Sequence, residues 1–238
     1  RHPSVVNTGR LIWAQPPPKP RSLHFLHGFW EVGHRPDPAL LARWRAANPG
    51  WTVHLWGPGS AGRLVRRTHP VLWREYRLLS PVQQSDVARL VVLEEFGGFY
   101  ADLDVPPTSV EGWEGAEAVV FQESQHPPEG HHSVTHQLRE GVPEYRSRIG
   151  NFAFYAPHRL HPLFSRCLRL SAWRAAAYAD WVRHTHPGVA LAELQDKYLV
   201  LFTTGPDVVT EAVYGVRFPE EYLEAFPGDS EPAGVRVE

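Results

Sequence analysis

Two aspartates two residues apart, Asp102 and Asp104, are the part of this sequence best suited to chemistry. At that spacing they share one face of a strand, and on a turn both can converge on a single ion. Carboxylates are the hard oxygen ligands that Mg²⁺ or Mn²⁺ prefers, held by one or two of them plus phosphate oxygens and water. An isolated Asp-x-Asp before Pro106-Pro107 is more often a pair of solvated turn residues. Asp86 and Arg89 lie three apart on a predicted helix, where the ordinary reading is a surface ion pair worth roughly a few tenths of a kcal/mol. The combination Ser85-Asp86-x-x-Arg89, then Gly97-Gly98-x-Tyr100-x-Asp102-x-Asp104, is far more specific than any of its parts.

Particular elements must carry these residues. Ser80-Pro81-Val82-Gln83 reads as a capping box opening a helix that runs to Glu95. Gly97-Gly98 ends it, and Phe99-Tyr100-Ala101 is a brief strand leading into the acids. The carboxylates therefore sit at the C-terminal end of a strand, the edge at which open α/β sheets bind ligands. Upstream, Leu23–His27 reads as a strand, Asp37-Pro38 opens a helix to about Ala47, and Trp51–Trp56 is a second strand. Strand, helix, strand is how a parallel α/β sheet begins. Downstream, Ala118–Gln122 and Asn151–Ala156 read as strands, with Glu123 to Gly150 as a long loop between them. Helices follow at about Leu160 to Asp180 and Pro206 to Tyr214. The expected layout is a Pro-rich lead-in over 1–20, one domain over 21–227, and a polar tail over 228–238.

Composition narrows the classes. The chain has 238 residues, 42% apolar and 21% charged, as expected of a soluble globular protein. No apolar run is long enough to span a bilayer. Residues 1–15 lack the pattern of a signal peptide, and the missing initiating Met points to removed residues, with a cytoplasmic location expected. The lone Cys167, in an apolar run, excludes an intrachain disulfide and reads as inert core. Residues 1–100 carry net charge +7 and residues 101–238 net −9, for −2 overall, so nothing argues for nucleic-acid binding.

With these residues in place, the sequence resembles the sugar transferases of glycosyltransferase family 32 and its relatives, which include fungal initiating mannosyltransferases and glucosylating bacterial toxins. Every position of the S-D-x-x-R and G-G-x-Y-x-D-x-D pattern is filled. His24-Phe25-Leu26-His27, Asn48-Pro49-Gly50-Trp51, Gly150-Asn151 with Ala156-Pro157, and Thr204-Gly205-Pro206 with Thr210 look like flanking motifs of the same family. The match spans about residues 22–214.

The resemblance implies a GT-A-like α/β nucleotide-diphospho-sugar transferase fold, with a mixed, mostly parallel sheet flanked by helices. It also implies a UDP- or GDP-sugar donor, Mn²⁺ or Mg²⁺, hexose transfer with retention, and a hydroxyl acceptor on a glycan, protein or small molecule. By position, Asp102 would hold the ribose and donor sugar and join Asp104 at the metal, with Asp104 the direct ligand. Asp86 and Arg89 would bind the sugar's hydroxyls, and Tyr100, Asn151 and Ser85 would line the donor pocket. Front-face attack, with Arg89 and the metal stabilising the leaving diphosphate, is favoured over double displacement. The sequence departs from the family twice. His27 stands where a nucleobase-stacking Trp is usual, with Trp30 three residues on, and no terminal "S-W" is present, Asp229-Ser230 being the nearest substitute.

Other readings rest on less. Gly57-Pro58-Gly59-Ser60-Ala61-Gly62 fits a dinucleotide-binding G-x-G-x-x-G, but no strand carries an acid near residue 77. His132 and His136 are spaced as zinc ligands but lack the glutamate of H-E-x-x-H. A non-enzymatic alternative is a nucleotide-sugar-binding module that has lost turnover, with Trp113, Trp173 and Trp181 as an acceptor or partner surface and Trp113 expected to be the most exposed.

Overall fold

The computed structural model describes residues 20–31, 33–113, 115–124, 148–190, 197–214 and 235–237. The lead-in over 1–19, most of the expected loop after Ser124, His132, His136 and Asp229-Ser230 lie outside the described residues. Strands β1 (Ser22–Leu26), β2 (Thr52–Trp56), β3 (Gly98–Ala101), β4 (Ala118–Ser124), β5 (Arg148–Ala156) and β6 (Val235–Val237) form one sheet in the order β2-β1-β3-β5-β4-β6. Pairings β1–β2, β1–β3 and β4–β6 are parallel; β3–β5 and β4–β5 are antiparallel. The sheet is thus mixed and mostly parallel, flanked by helices on both faces, as expected. β5 begins at Arg148, inside the expected loop, and β6 lies in the expected polar tail. Both differences have one cause: a strand's place is fixed by its neighbour, and β4 offers an edge to each of them.

The helices are α1 (Pro38–Ala47), α2 (Pro58–Thr68), α3 (Trp73–Tyr76), α4 (Pro81–Phe96), α5 (Pro162–Thr185), α6 (Lys197–Thr203) and α7 (Pro206–Tyr214). Alternate residues of each strand feed opposite faces of the sheet. Leu23, Phe25, Phe99, Ala153 and Tyr155 pack with Leu41 and Trp44 of α1. Leu26, Tyr100, Phe154 and Val120 pack with α2, α4, α5 and α7. Tyr100 therefore points at α4, and Asp102, two residues on, continues the same side.

α4 starts where the capping box predicts. Ser80 Oγ accepts from the Gln83 amide at 3.4 Å and Gln83 Oε1 accepts from the Ser80 amide at 3.2 Å. Every residue from Ser85 to Glu94 is buried, so the helix is enclosed on all sides and its polar residues must find partners inside the protein. It ends at Gly97, where φ is +64°, and Gly98 follows at +89°. A Cβ on Gly98 would sit 2.5 Å from the Ser22 carbonyl oxygen, so glycine is required for β3 to lie against β1. His24 locks the same junction. Its Nδ1 accepts from the Trp56 indole at 3.2 Å, so Nε2 carries the proton and donates to the Gly97 carbonyl at 3.0 Å. Burial, reinforced by His54, lowers its pKa to about 3, and the ring stays neutral.

Candidate active site

At the C-terminal ends of β1 and β3 an open cleft of about 370 Å³ is lined by Leu26, His27, Trp30, Glu31, Asp102 and Asp104, among others. Sequence placed four of these six in a site. Trp30 is 57% exposed and stands free for stacking. His27 is half-buried, its Nδ1 bound to the His34 carbonyl at 3.0 Å. The chain turns after β3: the Asp102 amide donates to the Phe152 carbonyl at 2.7 Å and the Val105 amide to the Asp102 carbonyl at 3.1 Å. Asn48 holds the next stretch, its side chain donating to the Thr108 carbonyl at 2.9 Å and accepting from the Val110 amide at 2.8 Å.

The two aspartates differ in their surroundings. Asp102 is 25% exposed and accepts from Arg89 Nη1 at 3.2 Å and from the Tyr100 hydroxyl. Asp104 is exposed, and the described residues offer it no partner. An unneutralised carboxylate in an open cleft is the donor set a hard dication requires; a carboxylate already shared with a guanidinium is a weaker ligand. The pair fits a magnesium-like ion, with Asp104 as the stronger donor.

Beneath the cleft lies a polar network. Arg89, 3% exposed, reaches Asp102, Asp86 at 3.2 Å, the Asn151 carbonyl and Ser85 Oγ at 3.3 Å, and lies 5.3 Å from the Tyr100 ring centre. Asp86, 4% exposed, accepts from Asn151 Nδ2 at 2.9 Å through Oδ1 and from Thr204 Oγ1 at 3.0 Å through Oδ2. Burial pushes the Asp86 carboxyl up to about 6, and Arg89, Thr204 and Asn151 restrain it from rising further. Burial works against the Arg89 charge too, but Asp102, Tyr100 and Asp86 outweigh it. The Tyr100 hydroxyl is held well above its ordinary value, first by burial.

Six of the nine sequence-selected residues, Ser85, Asp86, Arg89, Tyr100, Asp102 and Asn151, form one network, and Asp102 also lines the cleft with His27, Trp30 and Asp104. His27, Trp30, Asp102 and Asp104 face the cleft; Asp86, Arg89, Tyr100, Asn151 and Ser85 support it. Ser85 is fully buried and donates to the Val82 carbonyl at 2.8 Å while accepting from Arg89, so it braces Arg89 and has no face toward the cleft. Thr204 was not selected from sequence; the Thr-Gly-Pro resemblance was its only signal. Trp113 is not an exposed platform: a 3₁₀ turn over Glu111–Trp113 folds its ring to 5.2 Å from Phe99 and 5.3 Å from Phe121. Trp173 is half-buried, and the Trp181 side chain lies outside the described residues. The G-x-G-x-x-G run is the first turns of α2, where Gly62 admits the Trp73 ring at close range.

Residues 39–113 match the family model described as the glycosyltransferase sugar-binding region containing a DXD motif. This segment is similar to the DXD-type sugar-binding regions that the model describes. It ends beyond Asp104 and includes Ser85, Asp86, Arg89, Tyr100 and Asp102, but not His27, Trp30, Asn151 or Thr204. Among solved structures, PaToxG glycosyltransferase is similar at a TM-score of 0.50 and 16% identity, over 83% of this chain and 70% of its own. That likeness extends the shared GT-A-like fold beyond the matched segment. No curated protein matches the chain.

Proposed function

We propose that this chain is a metal-dependent retaining glycosyltransferase that moves a hexose from a nucleoside-diphosphate sugar to a hydroxyl acceptor. The observation that carries the reading is the continuous chain of contacts from buried Asp86 through Arg89 to Asp102, ending beside the free carboxylate of Asp104 in the cleft. Asp104, with Asp102 beside it, would hold Mn²⁺ or Mg²⁺, which when bound neutralises the donor's diphosphate and aids its departure. Trp30 and His27, which also line the cleft, would stack on the base. Asp102 would accept from ribose or sugar hydroxyls, its carboxylate oriented by Arg89 and Tyr100.

Both oxygens of Asp86 already accept hydrogen bonds, Oδ1 from Asn151 with Arg89 close by, and Oδ2 from Thr204. A carboxylate so occupied suits a positioning role better than nucleophilic attack, which supports front-face transfer over double displacement. Arg89 is likewise enclosed, so its part is to hold the carboxylates rather than to reach the leaving diphosphate.

Thermal shift against UDP- and GDP-sugars, with and without Mn²⁺, tests the reading. A ligand that binds only the folded state raises Tm by mass action. The expected result is a shift with one donor class that needs Mn²⁺ and is lost in Asp104→Ala, whose own Tm is unchanged because Asp104 is exposed. Turnover in Asp104→Ala equal to that of the wild type under the same conditions would sink the metal assignment. A shift without turnover would identify a sugar-nucleotide-binding module instead.

A further inference from the structure

We propose that His69, Glu94 and Glu95 form a second divalent-metal site, of the zinc type, at the edge of the sheet opposite the cleft. His69 follows α2, and the two glutamates close α4, whose C-terminal end feeds the N-terminal end of β3. The cleft lies at the other end of that strand, and Glu94 is eight residues, about 12 Å of helix, beyond Asp86. One ligand atom from each of the three side chains falls within 4.8 Å of the others, and no other such trio of His, Cys, Asp or Glu occurs among the described residues.

Neighbours outside the trio orient its donors. Thr68 Oγ1 lies 3.0 Å from the Leu64 carbonyl and 2.7 Å from His69 Nδ1, so it can donate to the carbonyl and accept from the imidazole. In the tautomer that carries its proton on Nδ1, that N–H donates to Thr68 and Nε2 presents its lone pair toward Glu94 Oε2, 2.6 Å away. Metal-binding histidines are held in this way, with the second ring nitrogen donating to a fixed oxygen. Ser165 Oγ donates to Glu94 Oε1 at 2.5 Å, which fixes the carboxylate and leaves Oε2 directed at the imidazole. In that tautomer an imidazole lone pair and a carboxylate oxygen face each other, a pair of donors that a cation can bridge.

Glu95 completes the set. Its partner is Arg159 at 3.6 Å, a cation 65% exposed and therefore easily displaced. A hollow of about 470 Å³, walled by Val71, Leu72, Leu168 and Ala172, lies directly against His69 and Glu94, with Arg169 also lining it. Water can complete the coordination from there. One imidazole with two carboxylates is a mixed N/O set that favours zinc, whereas magnesium prefers oxygen alone and keeps most of its waters. An ion here would tie the end of α2 to α4 and, through Ser165, to α5.

Zinc uptake by the full chain carrying Asp104→Asn, which weakens the cleft site, tests the proposal. Zn²⁺ alone is the probe, counted by elemental analysis after gel filtration, and Co²⁺ is used for visible spectra. The comparison chains add Glu95→Gln or His69→Asn to that background. The expected result is one zinc fewer per chain in each, with loss of the cobalt d–d bands and of the zinc-induced rise in Tm. Other imidazoles, such as His131, His132 and His136, contribute equally to all three chains and cancel in the difference. Should His69→Asn fail to fold, Glu95→Gln alone decides. Equal zinc content in the Glu95→Gln chain and its parent would overturn the site and leave a His69–Glu94 hydrogen bond in its place.

Discussion

Asp86→Asn is predicted to change the pH dependence of stability in a definite direction. The carboxyl is 4% exposed, and burial raises its pKa from 3.8 to about 6 in the folded chain. Between those values the native state holds a proton that the unfolded state has released. Stability therefore falls with rising pH across that window: the contribution is fully present below about pH 4 and lost once pH passes about 6. A rise of roughly two pKa units corresponds to about 3 kcal/mol. Asparagine keeps the shape and does not titrate. Its oxygen can accept from Asn151 and Arg89, and its amide can donate to Thr204, whose hydroxyl reverses its role. The stability of Asp86→Asn minus that of the wild type should thus climb by about 3 kcal/mol from pH 4 to 6.5 and then level off. Urea denaturation of both chains at half-unit pH steps measures this, the difference cancelling every other titrating group. A flat or falling difference would refute the reasoning, because it would mean that Arg89, Thr204 and Asn151 together outweigh burial. Turnover of the same variant should drop sharply whatever its stability, since Arg89 loses one of its two carboxylates.

Three further substitutions address other parts of the molecule. Arg174 of α5 and Glu211 of α7 form an ion pair with both side chains buried, so Glu211→Ala removes the carboxylate that balances a buried guanidinium and should cost about 3–5 kcal/mol, read as a fall in the urea midpoint. Gly98→Ala places a methyl 2.5 Å from the Ser22 carbonyl at a φ of +89°; a loss of about 2–5 kcal/mol is expected from strain and clash together, and thermal melting within a degree of the wild type would contradict it. Trp30→Ala removes an exposed ring from the cleft wall, so Tm should hold while donor KM rises about tenfold at unchanged kcat, the loss of one stacking contact worth about 1.4 kcal/mol.

What was legible from sequence was what local chemistry dictates. The Ser80 capping box, the Gly97-Gly98 break and the three-residue strand fixed where α4 ends and where Asp102 emerges, because each acts within a few residues. Asp37 caps α1 as its position before Pro38 suggests, its Oδ1 accepting from the Ala39 amide at 2.9 Å. α2 was hidden by two glycines and a proline, residues that lower helix propensity but are tolerated in a first turn and against the Trp73 ring. β6 has only three residues and no pattern of its own; its existence depends on the exposed edge of β4. Thr204 could not be assigned because its partner, Asp86, is 118 positions away and the contact exists only once α6 packs against α4.

The location of the charges carries the strongest argument about selection. α4 is surrounded by apolar side chains, and a helix in that position is most stable when apolar throughout. Instead it buries Ser85, Asp86 and Arg89 on one side, at a desolvation cost that well-packed hydrophobic residues would avoid. The pair does little for the fold that leucine and methionine could not do. What it does supply is a fixed guanidinium 3.2 Å from Asp102, holding that carboxylate at the floor of the cleft beside the unpaired Asp104. Stability surrendered in the core for geometry at a cleft is the signature of a site under functional constraint. It also identifies the informative double variant: replacing Asp86 and Arg89 together with Leu and Met should leave the chain folded, and at least as stable as Asp86→Asn, while Asp102 loses its orientation and transfer ceases.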